Sequence, residues 1–343
     1  MKRICGTLAD AGYEVTLTGR KRKTSLPLSP ASYQQTRLQC FFTKGILFYA
    51  EFNTRLFFYL LFKKCDCICA IDLDTILPCY GASKLKGVQR VYDAHEYFSQ
   101  MEEVISRPLV YKFWHWVEQK MIPRFPKGYT VCGSIADEFK HLYHVHYAVV
   151  RNVPVVQEEE PVTTTEKYIL YQGAVNKGRG LVNLIQAMKS VPCPLVICGD
   201  GNAMDEVKEA IILHGLENKI KLTGMLPPEK LKEYTRNAYM AVNTFQRQGL
   251  NQYFSLANKF FDYIHAGIPQ VTMNYPEYRR INEEYDIALL IEDINPETIA
   301  QGLNKMLNDN VLFNRLQANM AKARKALNWN NEQSVLLNFY AGI

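Results

Sequence analysis

At 343 residues the chain is long for one hydrophobic core and comfortable for two domains. Its 48% hydrophobic and 22% charged residues are ordinary for a globular protein, and no apolar run reaches the ~20 residues that span a bilayer. The net charge of +6 is modest. It favours anionic partners, such as a phosphorylated substrate or an acidic membrane surface, and part of it sits in one cluster, Arg20 to Lys23, which reads as a solvated loop or an anion patch.

The chain opens on MKRICGTLADAGYEVTL, a helix leading into a strand over Glu14 to Thr18. The opening strand and turn usual in a doubly wound domain are missing there, and a start further upstream is favoured over an incomplete first sheet. No apolar stretch of secretory type follows Met1. A basic loop with Pro27 and Pro30 comes next, then a helical apolar rhythm over Gly45 to Lys64. Leu56 to Phe62 is short and flanked by Arg55 and Lys63, so a buried helix is expected there.

Cys67 to Asp72 reads as a strand, Thr75 to Leu85 as a helix and Arg90 to Ala94 as a strand. A Trp-rich helix follows over Leu109 to Met121. Tyr129 to Cys132 and Tyr147 to Val150 are strands around the helix Ile135 to Tyr143. Nine cysteines carry no paired metal-ligand spacing, and Cys65, Cys67 and Cys69 alternate along a strand. Free thiols of this kind suit a reducing cytosol, so a cytoplasmic protein is expected.

The polar stretch Gln157 to Lys167 reads as a linker between domains. Beyond it the alternation restarts. Strands are expected over Tyr168 to Gln172, Leu195 to Cys198, Ile220 to Thr223, Met240 to Asn243, Gln270 to Met273 and Ala288 to Ile291. Helices are expected over Leu181 to Lys189, Ala203 to Leu213, Pro228 to Thr235, Ala257 to His265, Pro296 to Asn308 and Leu312 to Ala326. Two successive α/β halves of this kind imply doubly wound, Rossmann-like domains with a ligand in the cleft at the carboxyl ends of their strands.

Four segments carry chemistry. In YQGAVNKGRGLVNLI, a strand ends at Gln172, a glycine loop follows, and Arg179 stands at a helix mouth suited to a diphosphate. An ordinary turn with a solvated arginine fits the same letters, and Lys177 reads as a surface residue. In CGDGN, Gly199 and Gly201 allow a tight turn that Asp200 stabilises, or Asp200 caps a helix. In SLANKFFDYIHAGIPQV, the N–H groups of Ala257 and Asn258 open a helix with Lys259 beside them, and Asp262 lies one turn on, where it can accept ribose hydroxyls. A surface Lys259–Asp262 ion pair is the alternative, and His265 reads as packing. In RVYDAHEYF, a strand ends in Asp93, His95 and Glu96, where His95 can hydrogen-bond a reacting group or serve the loop. Asp72 and Asp74 read as a strand end and a helix N-cap rather than a metal pair.

In this order, YDAHEYF, YQGAVNKGRGL, CGDGN, LTGMLPPEKL and ANKFFDYIHAGIP resemble glycosyltransferase family 4, the group 1 enzymes of the GT-B fold, over nearly the whole chain. The resemblance implies two Rossmann-like domains: residues 1–156 on the acceptor side, a linker over 157–167, and a nucleotide-sugar donor domain over 168–326. The segment 327–343 would pack back on the first. It implies transfer from a nucleotide-sugar to a sugar or lipid-linked acceptor hydroxyl with retention, without cofactor or metal, at the cytoplasmic membrane face in cell-surface polysaccharide synthesis.

By position, Gly173, Arg179, Ala257, Asn258 and Lys259 would bind the diphosphate and Asp262 the ribose. Gly199, Asp200, Met225 and Leu226 would lie along the nucleobase and donor loop, and His95 near the donor sugar. The chain departs from the family pattern in two places. Ala174 stands where the family has an arginine, and Phe254 where it has the first of two glutamates. A nucleotide-sugar 2-epimerase of the same fold and a non-catalytic nucleotide-sugar-binding homologue are the competing readings.

Overall fold

The computed structural model describes residues 1–25, 27–156 and 166–343, so the linker expected over 157–167 lies outside the described residues except for Glu166 and Lys167. The chain divides into two compact units, Met1–Arg151 with Asn331–Ile343, and Asn152–Asn330.

Unit 1 runs α1 (Lys2–Asp10), β1 (Thr16–Lys21), β2 (Gln34–Gln39), α2 (Gly45–Phe62), β3 (Cys67–Ile71) and α3 (Ile76–Lys86). It continues with β4 (Gln89–Ala94), α4 (Glu102–Ile105), α5 (Pro108–Met121), β5 (Gly128–Thr130), α6 (Gly133–Tyr143) and β6 (Ala148–Val149). Strands β3 to β6 form one parallel sheet in sequence order, while β1 and β2 form a separate parallel pair. Among the described residues no strand joins β1 to β3. Strand β1 extends further into the expected basic loop than its letters suggest, because pairing with β2 supplies its hydrogen bonds. Strand β2 itself, QQTRLQ, has no apolar alternation from which to read it.

Unit 2 runs β7 (Ile169–Gln172), α7 (Leu181–Ala187), β8 (Leu195–Cys198), α8 (Met204–Leu213), β9 (Ile220–Gly224), α9 (Pro228–Asn237) and β10 (Met240–Asn243). Then come α10 (Gly249–Tyr253), α11 (Asn258–Ala266), β11 (Gln270–Met273), α12 (Pro276–Tyr285), β12 (Ala288–Ile291), α13 (Pro296–Asn308) and α14 (Asn310–Ala326). The sheet is parallel with order β12-β11-β10-β7-β8-β9, the Rossmann pattern. Every residue of β7, β8, β10 and β11 is buried, as expected of strands covered on both faces. Helix α12, PEYRRINEEY, is mostly polar; a proline at its start and the buried pair Tyr278 and Ile281 hold it in place.

The final helix α15 (Trp329–Ala341) begins in unit 2, and from Asn331 onward it belongs to unit 1. There Phe339 and Tyr340 meet the ring of Tyr129, and Glu332 pairs with Arg151 at 2.9 Å.

The core of unit 1 is aromatic. Phe139 lies within 6.5 Å, ring centre to ring centre, of Tyr92, Tyr97, Tyr143 and Tyr147. Phe139→Ala should therefore lower stability by about 3–5 kcal/mol through lost burial and a residual cavity. Chemical denaturation followed by near-UV circular dichroism checks this.

Candidate functional site

In unit 2 the strand order reverses between β7 and β10, where the loops leaving two neighbouring strands diverge and leave room for a ligand. Two hydrogen bonds tie these loops together. The Thr244 hydroxyl donates to the Arg179 carbonyl at 2.9 Å, and the Gln246 N–H donates to the Gly178 carbonyl at 2.8 Å. Helix α11 joins them from its apolar side, with Tyr263 accepting the Gln172 N–H at 3.1 Å.

Lys259 projects from the first turn of α11 and is only 8% exposed. Its Nζ sits 3.7 Å from the ring centre of Tyr171 and 5.1 Å from that of Phe245. The Arg179 guanidinium lies 4.8 Å from the same Phe245 ring, so two cations share one aromatic platform. Among the described residues Lys259 Nζ has no hydrogen-bond partner. Burial, and then the charge of Arg179, pushes the Lys259 amine well below the usual lysine range.

The surface ion pair considered for Lys259 and Asp262 does not form. Asp262 instead accepts from Gln172 Nε2 at 2.9 Å, and the other end of that amide accepts from the Thr235 hydroxyl at 2.6 Å. Asp262 is half-buried, with its carboxylate held in place beside the strand end.

Two of the expected phosphate donors are already engaged. The Gly173 N–H donates to the Cys198 carbonyl at 2.9 Å, and the Ala257 N–H donates to the Tyr278 hydroxyl at 3.1 Å. Packed chain ends find protein partners first. What Gly173 contributes is conformation: it stands at φ +121°, where a side chain is strained, while an added Cβ would meet Lys259 Cε at an ordinary contact distance of 3.7 Å. The donors left at this end are the first-turn N–H groups of Asn258 and Lys259, which have no acceptor within the helix. Asn258 is exposed, and its side-chain oxygen accepts from Asn152 Nδ2 at 2.9 Å.

Gly199 packs main chain on main chain, since a Cβ there would fall 1.8 Å from the Gly173 carbonyl oxygen. Asp200 closes its own turn onto the Gly201 N–H at 2.8 Å and caps no helix, because α8 begins after Ala203. Met225 is 75% exposed, whereas Leu226 packs against the apolar cluster around Leu170 and Tyr263.

In unit 1, three adjacent strands build the surroundings of His95. Asp93 near the end of β4 is 1% exposed; it accepts from the Tyr129 hydroxyl at 3.0 Å and lies 3.1 Å from His95 Nε2. Asp72, just past β3, accepts the N–H groups of His95 at 2.9 Å and Glu96 at 3.3 Å, which pins the loop. The expected N-cap at Asp74 is absent. Asp74 lies inside a short turn, Leu73–Thr75, and Asp72 occupies the cap position, where its carbonyl accepts from Thr75 while its carboxylate serves the neighbouring loop. Burial pushes the Asp72 carboxyl well above the usual range, with His95 opposing. Burial also pushes the His95 imidazole down, but its hydrogen bond to Asp93 and the charges of Asp93 and Asp72 outweigh this and leave it raised.

The structure thus gathers Gly173, Arg179, Asn258, Lys259, Asp262 and Gly199 at one end of the unit 2 sheet, and places His95 in unit 1. Sequence reading missed Tyr171, Gln172 and Phe245. The only signal available was Gln172, a polar residue closing an otherwise apolar strand.

Residues 154–326 match the family model "Glycosyl transferases group 1". No curated protein matches the chain. Sucrose-phosphate synthase from Thermosynechococcus elongatus superposes with a TM-score of 0.81 at 15% identity, over 99% of this chain and 91% of that one. HepE from Anabaena in complex with UDP gives 0.73 at 14% identity, over 91% and 87%. WaaG, a glycosyltransferase involved in lipopolysaccharide biosynthesis, gives 0.69 at 15% identity, over 98% and 92%. At these identities the likeness gives the fold, the two-unit α/β architecture of GT-B glycosyltransferases. The family match is broader evidence: it covers 173 of the 343 residues, and the chain belongs to the group 1 glycosyltransferases.

Proposed function

We propose that unit 2 holds the diphosphate of a nucleotide-sugar donor between Arg179 and Lys259, and that the enzyme transfers the sugar to an acceptor hydroxyl with retention of configuration. The observation that carries this reading is the buried ammonium of Lys259, stacked on Tyr171 and paired with no carboxylate. A buried charge without a counter-ion is costly, and a bound anion is the partner its surroundings lack. That HepE binds UDP on the same fold supports the choice of anion.

In this reading the N–H groups of Asn258 and Lys259 add to the two cations, and together they stabilise the departing diphosphate. The acceptor hydroxyl attacks on the face the diphosphate leaves and gives up its proton to that phosphate. Fixed cations do the work a divalent metal would otherwise do, so no metal or other cofactor is needed. Asp262, held by Gln172, takes the ribose hydroxyls. Gly199, Asp200, Met225 and Leu226 line the way to the nucleobase. His95, oriented by Asp93, hydrogen-bonds the transferred sugar. The acceptor is a sugar or a lipid-linked sugar, reached from the cytoplasmic face of a membrane during cell-surface polysaccharide synthesis.

Three outcomes follow. Lys259→Ala and Arg179→Ala should each weaken nucleoside-diphosphate binding by about 1.5–3 kcal/mol, the worth of a charged hydrogen bond; calorimetry with UDP, GDP and ADP that finds full affinity in both variants rules out the phosphate site.

Because an anion restores the depressed Lys259 to its protonated form, binding should take up protons and weaken as pH rises through the depressed pKa. Calorimetry in buffers of different ionisation enthalpy measures that uptake. The unliganded protein should respond in the opposite sense. Its unfolded state binds the lysine proton more tightly, so this site's destabilisation fades as pH rises toward the ordinary lysine pKa, and Lys259→Met should raise the melting temperature while weakening binding as Lys259→Ala does.

Finally, His95→Ala should reduce donor turnover with little change in diphosphate affinity. Asp93→Asn should move the limb of the pH–rate profile that reports His95 to lower pH, because Asp93 is what raises it. An unmoved profile would remove Asp93 from that role.

A further inference from the structure

Helix α2 has its apolar residues on the wrong side for an ordinary surface helix. Only Phe52 and Leu56 are fully buried along its 18 residues. The row Ile46, Ala50, Thr54, Phe58 and Phe62, spaced four apart and so winding by about 40° per step around the helix, is exposed throughout, with Ile46 at 83% and Phe62 at 81%. A surface helix normally turns polar residues outward.

The loop before α2 continues the same surface. Phe41 is 84% exposed and Phe42 is also exposed. That exposure is held in place. Both oxygens of Glu51 accept the Phe41 N–H, at 3.0 and 2.9 Å, and one also accepts the Phe42 N–H at 2.9 Å. Arg20 Nη2 donates to the Thr43 carbonyl at 2.9 Å, and its guanidinium lies 3.9 Å from the Phe48 ring centre. The backbone is clamped while the side chains point out, an arrangement organised in advance for contact.

Charge indicates the kind of contact. Residues 41–64 carry four cations, Lys44, Arg55, Lys63 and Lys64, against one acid, Glu51, which is already engaged by the loop and by Arg55 at 2.8 Å. Phenylalanine and isoleucine bordered by lysine and arginine are what an interfacial helix presents to anionic lipid. No described helix is long and apolar enough to cross a membrane, so the contact is one of lying on the surface.

We propose that loop 41–44 and the outer face of α2 form the surface by which unit 1 docks on an anionic lipid bilayer. This rests on the membrane-face part of the functional reading above and is independent of the phosphate site. The test is co-flotation of the full chain with phosphatidylcholine vesicles that contain or lack phosphatidylglycerol, with UDP affinity measured on the same samples.

The wild-type chain should float with the anionic vesicles and be released by salt. Phe41→Ser with Ile46→Ser should weaken partitioning by about tenfold or more while leaving UDP affinity unchanged, which also shows that the variant is folded. Lys44→Glu with Lys64→Glu should lose binding to anionic vesicles selectively. Unaltered flotation in both double variants overturns the proposal. So does a wild-type chain that ignores both vesicle types, or a concentration-dependent dimer in light scattering that Phe41→Ser with Ile46→Ser dissolves. Full UDP affinity in Lys259→Ala with flotation intact would count against the donor site alone.

Discussion

A lysine amine buried against two aromatic rings, sharing one of them with a second cation and without a hydrogen-bond partner among the described residues, is the constraint around which unit 2 is arranged. Such a group is unfavourable in the unliganded protein, and the ring faces of Tyr171 and Phe245 offset part of that cost. Holding it there requires the rest of the architecture. Strand β7 must end where β10 begins to diverge, Gly173 must take a positive φ beside the lysine, and α11 must be anchored through Tyr263 to the strand end.

Unit 1 uses a different device at the same relative place in its sheet. Carboxylates at the ends of β3 and β4 and a tyrosine of β5 surround one histidine. Asp72 positions the main chain and Asp93 positions the ring. His95 is therefore oriented by two acids, Asp93 buried and Asp72 partly buried, in contrast to Lys259, which has no hydrogen-bond partner among the described residues. The two sites are built on opposite electrostatic plans, one leaving an amine without an acid and the other setting acids around an imidazole.

The departures from the family pattern become intelligible beside this geometry. Ala174 and Phe254 remove one cation and one acid that the family uses. The two cations that remain, Arg179 and Lys259, both approach the Phe245 ring. Gln172, Asp262 and Thr235 form a short polar chain beside them that no linear motif predicts.

The linear sequence determined the alternation of strands and helices, because buried parallel strands such as LVIC and helices with one apolar face announce themselves by local composition. It also determined which segments carry polar chemistry, since glycine, arginine and acid at strand ends are unusual letters in those places. Only the tertiary structure decided which of those groups were free to act. Ala257 and Gly173 have their N–H groups taken by Tyr278 and Cys198, residues 21 and 25 positions away, and no local pattern encodes such partners. Strand β2 and helix α12 were equally invisible, the first formed by pairing with β1 and the second held by two buried apolar residues in a polar stretch. Local sequence sets what each segment prefers, but hydrogen-bond partners and burial depend on contacts between distant segments, and those exist only once the chain has folded.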